Sequence, residues 1–188
     1  MKNIALVTLT LFAFVSCNDV KKETVDQSNT DIKEIIVSNK KITVPLEAKS
    51  ESNAKGVAKF FEKSGKVSFL AKISGLSPGI HAVHLHEKAD CSSVDGKSAG
   101  GHWNPTFQPH GKWGDASGYH KGDIGNFNVN EDGEGSIALT TNEWCIGCGD
   151  KNKDILGKAI IVHQGADDFT SQPSGAAGAR VSCGGIIE

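Results

Sequence analysis

From Lys88 to Gly122 the chain carries no strand pattern, although strand-like segments lie on both sides of it. Unstructured loops longer than about 15 residues are uncommon in compact domains. Such a stretch has to be functional, disordered or held by something. Cys91, His102, His110 and His120 all lie inside it, and all seven histidines of the sequence fall between His81 and His163. A metal site is the first hypothesis.

The flanking sequence reads as strands. KITVPLEA, GVAKFFE and KVSFLAKI, which follow one another from Lys41 to Ile73, alternate or cluster β-branched and aromatic residues. Ser64-Gly65 marks a hairpin turn between the second and third. IHAVHLHE is a fourth strand, GNFNVN and GSIALTT form a further hairpin around Asp132-Gly133, and GKAIIVH and ARVSCGGII complete a set of about eight. The 22 glycines fit short strands and tight turns better than helices, because an interior glycine costs a helix about 1 kcal/mol. An all-β fold is expected, and 188 residues suffice for one core but are few for two domains.

The first residues read as an address. After Lys2 the apolar run IALVTLTLFAFV is shorter than the roughly 20 residues a membrane span needs. Residues 1–16 are expected to be a signal peptide. The ending Phe-Val-Ser-Cys resembles a loose bacterial lipoprotein box, with Cys17 as the lipidated first residue of the mature chain. Residues 17–40 would then be a polar tether of about 25 Å average span, and 41–188 the folded domain. Export to the bacterial envelope or periplasm follows, with membrane contact only through the lipid. Loss of the leader removes Lys2 and takes the formal charge from −2 to −3, so nucleic acid is not an expected partner.

The histidine spacing carries the chemistry. On a strand, His84 and His86 share a face while His81 points to the other. An isolated H-x-H pair is more often satisfied by hydrogen bonds than by a metal, but the loop histidines shift that balance. His110, His120 and Asp123 make a plausible partial zinc shell lacking one ligand, and His102 could supply it. Taken singly, Asp123 would be a turn-stabilising aspartate.

The segments GIHAVHLHEKADC, AGGHWNP, HKGDIGN, GKAIIVHQGADD and AGARVSCGGII resemble, in order, the successive signatures of copper-zinc superoxide dismutases. The resemblance covers Lys41 to Glu188. It implies an eight-stranded antiparallel Greek-key β-barrel or sandwich with long metal-binding and electrostatic loops; this sandwich and the diffusion-limited rate of superoxide dismutase are standard examples of their kind. It implies copper held by His84, His86, His102 and His163, and zinc held by His102, His110, His120 and Asp123. A deprotonated His102 imidazole would serve both metals. Asp167, rather than its neighbour Asp168, matches the carboxylate that orients His84 and His110, and His81 matches a histidine bracing the copper strand.

The implied reaction is disproportionation of superoxide to dioxygen and hydrogen peroxide by alternating copper(II) and copper(I), with zinc structural. His102 would shuttle protons and Arg180 would attract the superoxide anion. Ser174 matches a position where many relatives have a threonine at the pocket rim. An exported protein favours disulfides, and the four cysteines left after Cys17 allow three pairings. The resemblance selects Cys91 with Cys183. Cys145 and Cys148, in WCIGC, lie outside the family pattern; a local disulfide is the first choice, since a soft-metal site would need further ligands. A homodimer is compatible with the family, but the dimer surface is its least transferable feature. Two other classes compete: an envelope protein that only buffers copper or zinc, and a purely structural β lipoprotein. Arg180 and the shared His102 argue against the first, and the gathered ligands against the second.

Overall fold

A computed structural model describes residues 39–188. The expected leader, the expected lipidation site Cys17 and nearly all of the expected tether lie outside the described residues. Eight strands form: β1 (Lys40–Ala48), β2 (Lys55–Lys63), β3 (Lys66–Ser74), β4 (Gly79–His86), β5 (Gly125–Val129), β6 (Gly135–Thr141), β7 (Ala159–His163) and β8 (Arg180–Gly185). The alternation seen in the sequence becomes the two faces of each strand. In β3, Val67, Phe69, Ala71 and Ile73 are buried while the residues between them are exposed. Ser64 and Gly65 both take positive φ, 51° and 72°, the conformation that lets a two-residue turn follow the twist of β2 and β3.

The strands close into an antiparallel barrel in the order β1-β2-β3-β6-β5-β4-β7-β8. The connections from β3 to β4 and from β6 to β7 cross over neighbouring strands, which makes the topology a Greek key. Pairing is long inside two four-stranded halves and short between them. β1 meets β8 at Glu47↔Cys183 and Ala48↔Ser182, and β5 meets β6 at Val129↔Gly135 alone. The Asp132-Gly133 turn is thus present, with Gly133 N–H donating to Asn130 O at 3.0 Å, but the two strands part directly after it.

The core fills the barrel with Phe60, Phe69, Val83, Leu85, Ile160 and Val162 among its members. Full burial of such side chains stabilises by about 1.5–3 kcal/mol each. Because Val83 and Leu85 point inward, His84 and His86 must point out through the barrel wall. Both are nevertheless buried, since the chain from β4 to β5 folds back over them.

That long segment is ordered by several devices. Trp103 N–H donates to Leu85 O at 2.8 Å, Leu85 N–H donates to Gly122 O at 2.9 Å, and His86 pairs with His102 as an isolated bridge. A disulfide joins Cys91 to Cys183 on β8. The β6–β7 loop adds a clamp: Trp144 Nε1–H donates to Lys121 O at 2.8 Å, and Trp113 meets Trp144 edge-on at 5.4 Å. Glu143 accepts from Tyr119 and Lys121.

Candidate metal centre

Strands β4 and β7 set the first group of ligand-type residues. His84 and His86 leave the outer face of β4, and His163 leaves the end of β7, directly against β4 in the ladder. The bridge between His86 and His102 brings the loop histidine to the same spot. One nitrogen from each of His84, His86, His102 and His163 lies within 4.8 Å of the others. A second group with the same closeness is His102, His110, His120 and Asp123. His102 belongs to both.

Hydrogen bonds fix which nitrogen is left over in every ligand-type ring but that of His120. His84 Nε2 donates to Asp167 Oδ2 at 2.8 Å, His86 Nδ1 to Gly100 O at 3.0 Å, and His163 Nδ1 to Gly178 O at 3.4 Å. His110 Nε2 donates to Asp167 Oδ1 at 2.9 Å. Six buried nitrogens then have no hydrogen-bond partner: Nδ1 of His84, His110 and His120, and Nε2 of His86, His102 and His163. His110 Nδ1 and His120 Nδ1 approach Asp123 oxygens at 3.0 and 3.2 Å, but without hydrogen-bond geometry. Leaving a buried polar atom unsatisfied costs about 1–3 kcal/mol. Six of them converging on two points are what a pair of metal ions would satisfy, so the residues fit both metals.

The donor types differ usefully. The first group is four imidazoles, a set suited to copper; the second adds a carboxylate to three imidazoles in the four-donor arrangement that zinc takes. Burial, and then the neighbouring histidines, push His86 and His163 well below the ordinary histidine range. Burial likewise lowers His102 to about 4. These rings are therefore neutral and free to ligate at pH 7. Burial also opposes charge on His110, but the carboxylates of Asp123 and Asp167 on either side outweigh it and raise that ring to about 9. Burial works against ionisation of Asp123, yet hydrogen bonding to His102 and the nearness of His110 and His120 hold it well below the usual carboxylate range.

Residues around the ligands hold them in place. Asp167 touches His84 and His110 and so links the two groups, whereas Asp168 is occupied as a turn residue, accepting from the N–H groups of Thr170 and Ser171. His81 lies on the core side of β4, with Nδ1 2.9 Å from His163 O and Nε2 2.8 Å from Ser77 O. Arg180 opens β8 as the ladder partner of His163 and donates to Gly96 O at 2.9 Å, which leaves it half-buried beside the first group. Ser174 lies in the same turn as Gly175 and is half-buried.

Three supporting residues escape a reading of the sequence. Asn126 on β5 clamps Asp167 through two hydrogen bonds of 2.8 Å to its main chain. Gln172 does the same to His110, at 2.9 Å each way. Gly175 packs so closely that a Cβ there would fall 1.8 Å from Asp167 Oδ1.

Comparison with known proteins agrees with this arrangement. Residues 54–186 match the family model for copper/zinc superoxide dismutase. Cu-Zn superoxide dismutase 2 of Aquifex aeolicus (strain VF5) is 33% identical over 140 residues, 73% of this chain and 81% of that protein. The superoxide dismutase-like protein YojM of Bacillus subtilis (strain 168) is 36% identical over 117 residues, 61% of this chain; the match spans 59% of the Bacillus protein's length. Among solved structures, a double mutant of a SOD-like protein from Bacillus subtilis superposes with a TM-score of 0.69 at 34% identity, covering 78% of this chain and 97% of that one. The clock protein EA4 superposes with a TM-score of 0.67 at 32% identity, covering 79% and 96%. A closed eight-stranded barrel, two buried ligand groups sharing one histidine, and a family match over most of the chain lead to one conclusion: this protein belongs to the copper/zinc superoxide dismutase family.

Proposed function

We propose that the chain is a superoxide dismutase that converts two superoxide anions and two protons into dioxygen and hydrogen peroxide. The observation that carries this reading is His102, whose two ring nitrogens face the two ligand groups. When bound, copper at His84, His86, His102 and His163 supplies the one-electron chemistry, and zinc at His102, His110, His120 and Asp123 fixes the loop.

The chain's own residues do the rest. His102 Nε2 is the buried atom placed to hold a proton and give it up, because Asp123 fixes the ring through Nδ1. Arg180 puts a fixed positive charge beside His163, where it attracts a small anion although the chain is net negative. Asp167 keeps His84 and His110 oriented, and such outer partners set ligand basicity and geometry. His81 braces the end of β7 through the carbonyl of His163.

Export follows in the same proposal. The apolar leader and Cys17 support a lipid-anchored envelope protein, and the two disulfides among the described residues suit an oxidising compartment. The protein would meet superoxide there, as a monomer or a homodimer.

The decisive experiment loads purified protein with copper and zinc and compares superoxide decay with that of His102→Ala. The unmodified protein should accelerate decay, and the variant should lose at least about 100-fold, the lower range for removing a positioned acid-base group. Tight metal binding without faster decay would leave a metal-buffering protein instead.

A further inference from the structure

The β6–β7 loop holds a second set of metal-type donors that shares no residue with the centre above. Cys145 and Cys148 are joined as a disulfide, and their sulfurs and one carboxylate oxygen of Asp154 all lie within 4.8 Å of one another. Asp154 is set rigidly. Its Oδ1 accepts from Gly147 N–H at 2.8 Å and Leu156 N–H at 3.0 Å, while Oδ2 accepts only from Gly149 N–H at 2.8 Å. A carboxylate oxygen has two lone pairs, so Oδ2 keeps one free. Although burial opposes its charge, these three N–H donors hold the carboxyl below its ordinary range, so it is an anion at neutral pH.

The two sulfurs are placed unequally. Cys145 is buried and locked, its N–H donating to Lys153 O at 2.9 Å and its carbonyl accepting from Ile155 N–H at 3.1 Å. Cys148 is exposed and lies between Gly147 and Gly149, both at positive φ. A Cβ on Gly149 would meet nothing within 4 Å. An external thiolate therefore reaches Cys148 first, and opening the bond frees the exposed Cys148 side chain while the N–H groups of Gly147 and Gly149 keep the loop backbone on Asp154.

We propose that Cys145, Cys148 and Asp154 form a third metal site, closed while the disulfide is intact and opened by a dithiol reductant, which takes one zinc ion. The exchange balances. A dithiol reduces the Cys145–Cys148 bond to two thiols and becomes a disulfide itself; zinc then binds two thiolates and displaces their two protons. Two thiolates and a carboxylate are a zinc donor set, with water completing four-coordination. Calcium and magnesium do not take thiolate, and copper(I) has no use for the carboxylate. The site stands whichever reaction the histidine centre performs.

Cobalt(II) in place of zinc tests it, since sulfur-to-cobalt absorption in the near ultraviolet arises only from thiolate ligands and the histidine centre has none. The full chain is titrated with cobalt before and after reduction, alongside Cys148→Ser, the Cys145→Ser/Cys148→Ser pair and Asp154→Asn. Circular dichroism confirms the fold of each, and a thiol count confirms that the bond has opened. One thiolate-bound cobalt per chain should appear only after reduction and be displaced by zinc. The band should vanish in both serine variants, and affinity should fall at least about tenfold in Asp154→Asn, the low end of what loss of even an outer partner costs a metal site. The proposal is overturned if the opened chain gives no band, if the band survives in the double serine variant (which retains Cys91 and Cys183), or if Asp154→Asn binds as tightly as the unmodified chain.

Discussion

At Gly175 the absence of one methyl group makes room for the link between the two ligand groups. A Cβ there would stand 1.8 Å from Asp167 Oδ1 and 2.6 Å from His110 Nε2, and φ is +68°, which side chains rarely adopt. Gly175→Ala should therefore displace Asp167 and loosen His110. Zinc affinity, measured by competition with a chromophoric chelator, is expected to fall about 10–100-fold; an unchanged value would show that Asp167 does not orient the zinc ligands. Positions such as Gly175 are hidden in a sequence, whereas the ligands are not. H-x-H declares two imidazoles on one face of a strand, and clustered loop histidines declare a purpose for the loop. Asn126 gives no such sign, because on β5 it occupies the polar place of an alternating strand and reads as solvent-facing. Its contact with Asp167 spans 41 residues, and that of Gln172 with His110 spans 62. Contacts of that range leave no local trace.

Elements show the same division between local and distant information. All eight strands were legible, because each carries either an alternating pattern or a short apolar cluster between turn residues. The length of pairing between strands was not. The turn after β5 predicts a hairpin, and a hairpin's turn forms, yet the two strands part after a single ladder pair. Nor could sequence show how the long segment after β4 is held. Trp113, Tyr119 and Trp144 look like ordinary core aromatics until the β6–β7 loop is laid against the carbonyl of Lys121, between two zinc-type ligands. The Cys91–Cys183 bond supplies the covalent part, across a separation of 92 residues. Cys91→Ser should lower stability by about 2–5 kcal/mol, as removal of a native disulfide usually does. Denaturant unfolding checks this, and an unmoved midpoint would mean that main-chain bonds and aromatic packing hold the loop unaided.

For the whole molecule, the six partnerless nitrogens make the metal-free fold carry a cost that metal binding removes. Chelation should lower the melting temperature and reloading restore it. A ligand at about a thousand times its dissociation constant stabilises by about 4 kcal/mol, or on the order of 10 °C for a domain this size. An identical melting curve for both forms would count against metal binding by these histidines. The two four-stranded halves of the barrel lie like the covers of a closed book. Its spine is the β1–β8 seam, extended past the ladder by Lys49 N–H to Val181 O and by Ser50 to the carbonyl of Arg180. Its fore-edge is the β5–β6 side, where the strands flank an open groove of about 950 Å³. The spine thus steadies Arg180 and His163, while the groove side is joined by a single ladder pair. Asn126 lines that groove and grips Asp167, so the wall of the fore-edge is tied directly to the carboxylate that holds His84 and His110.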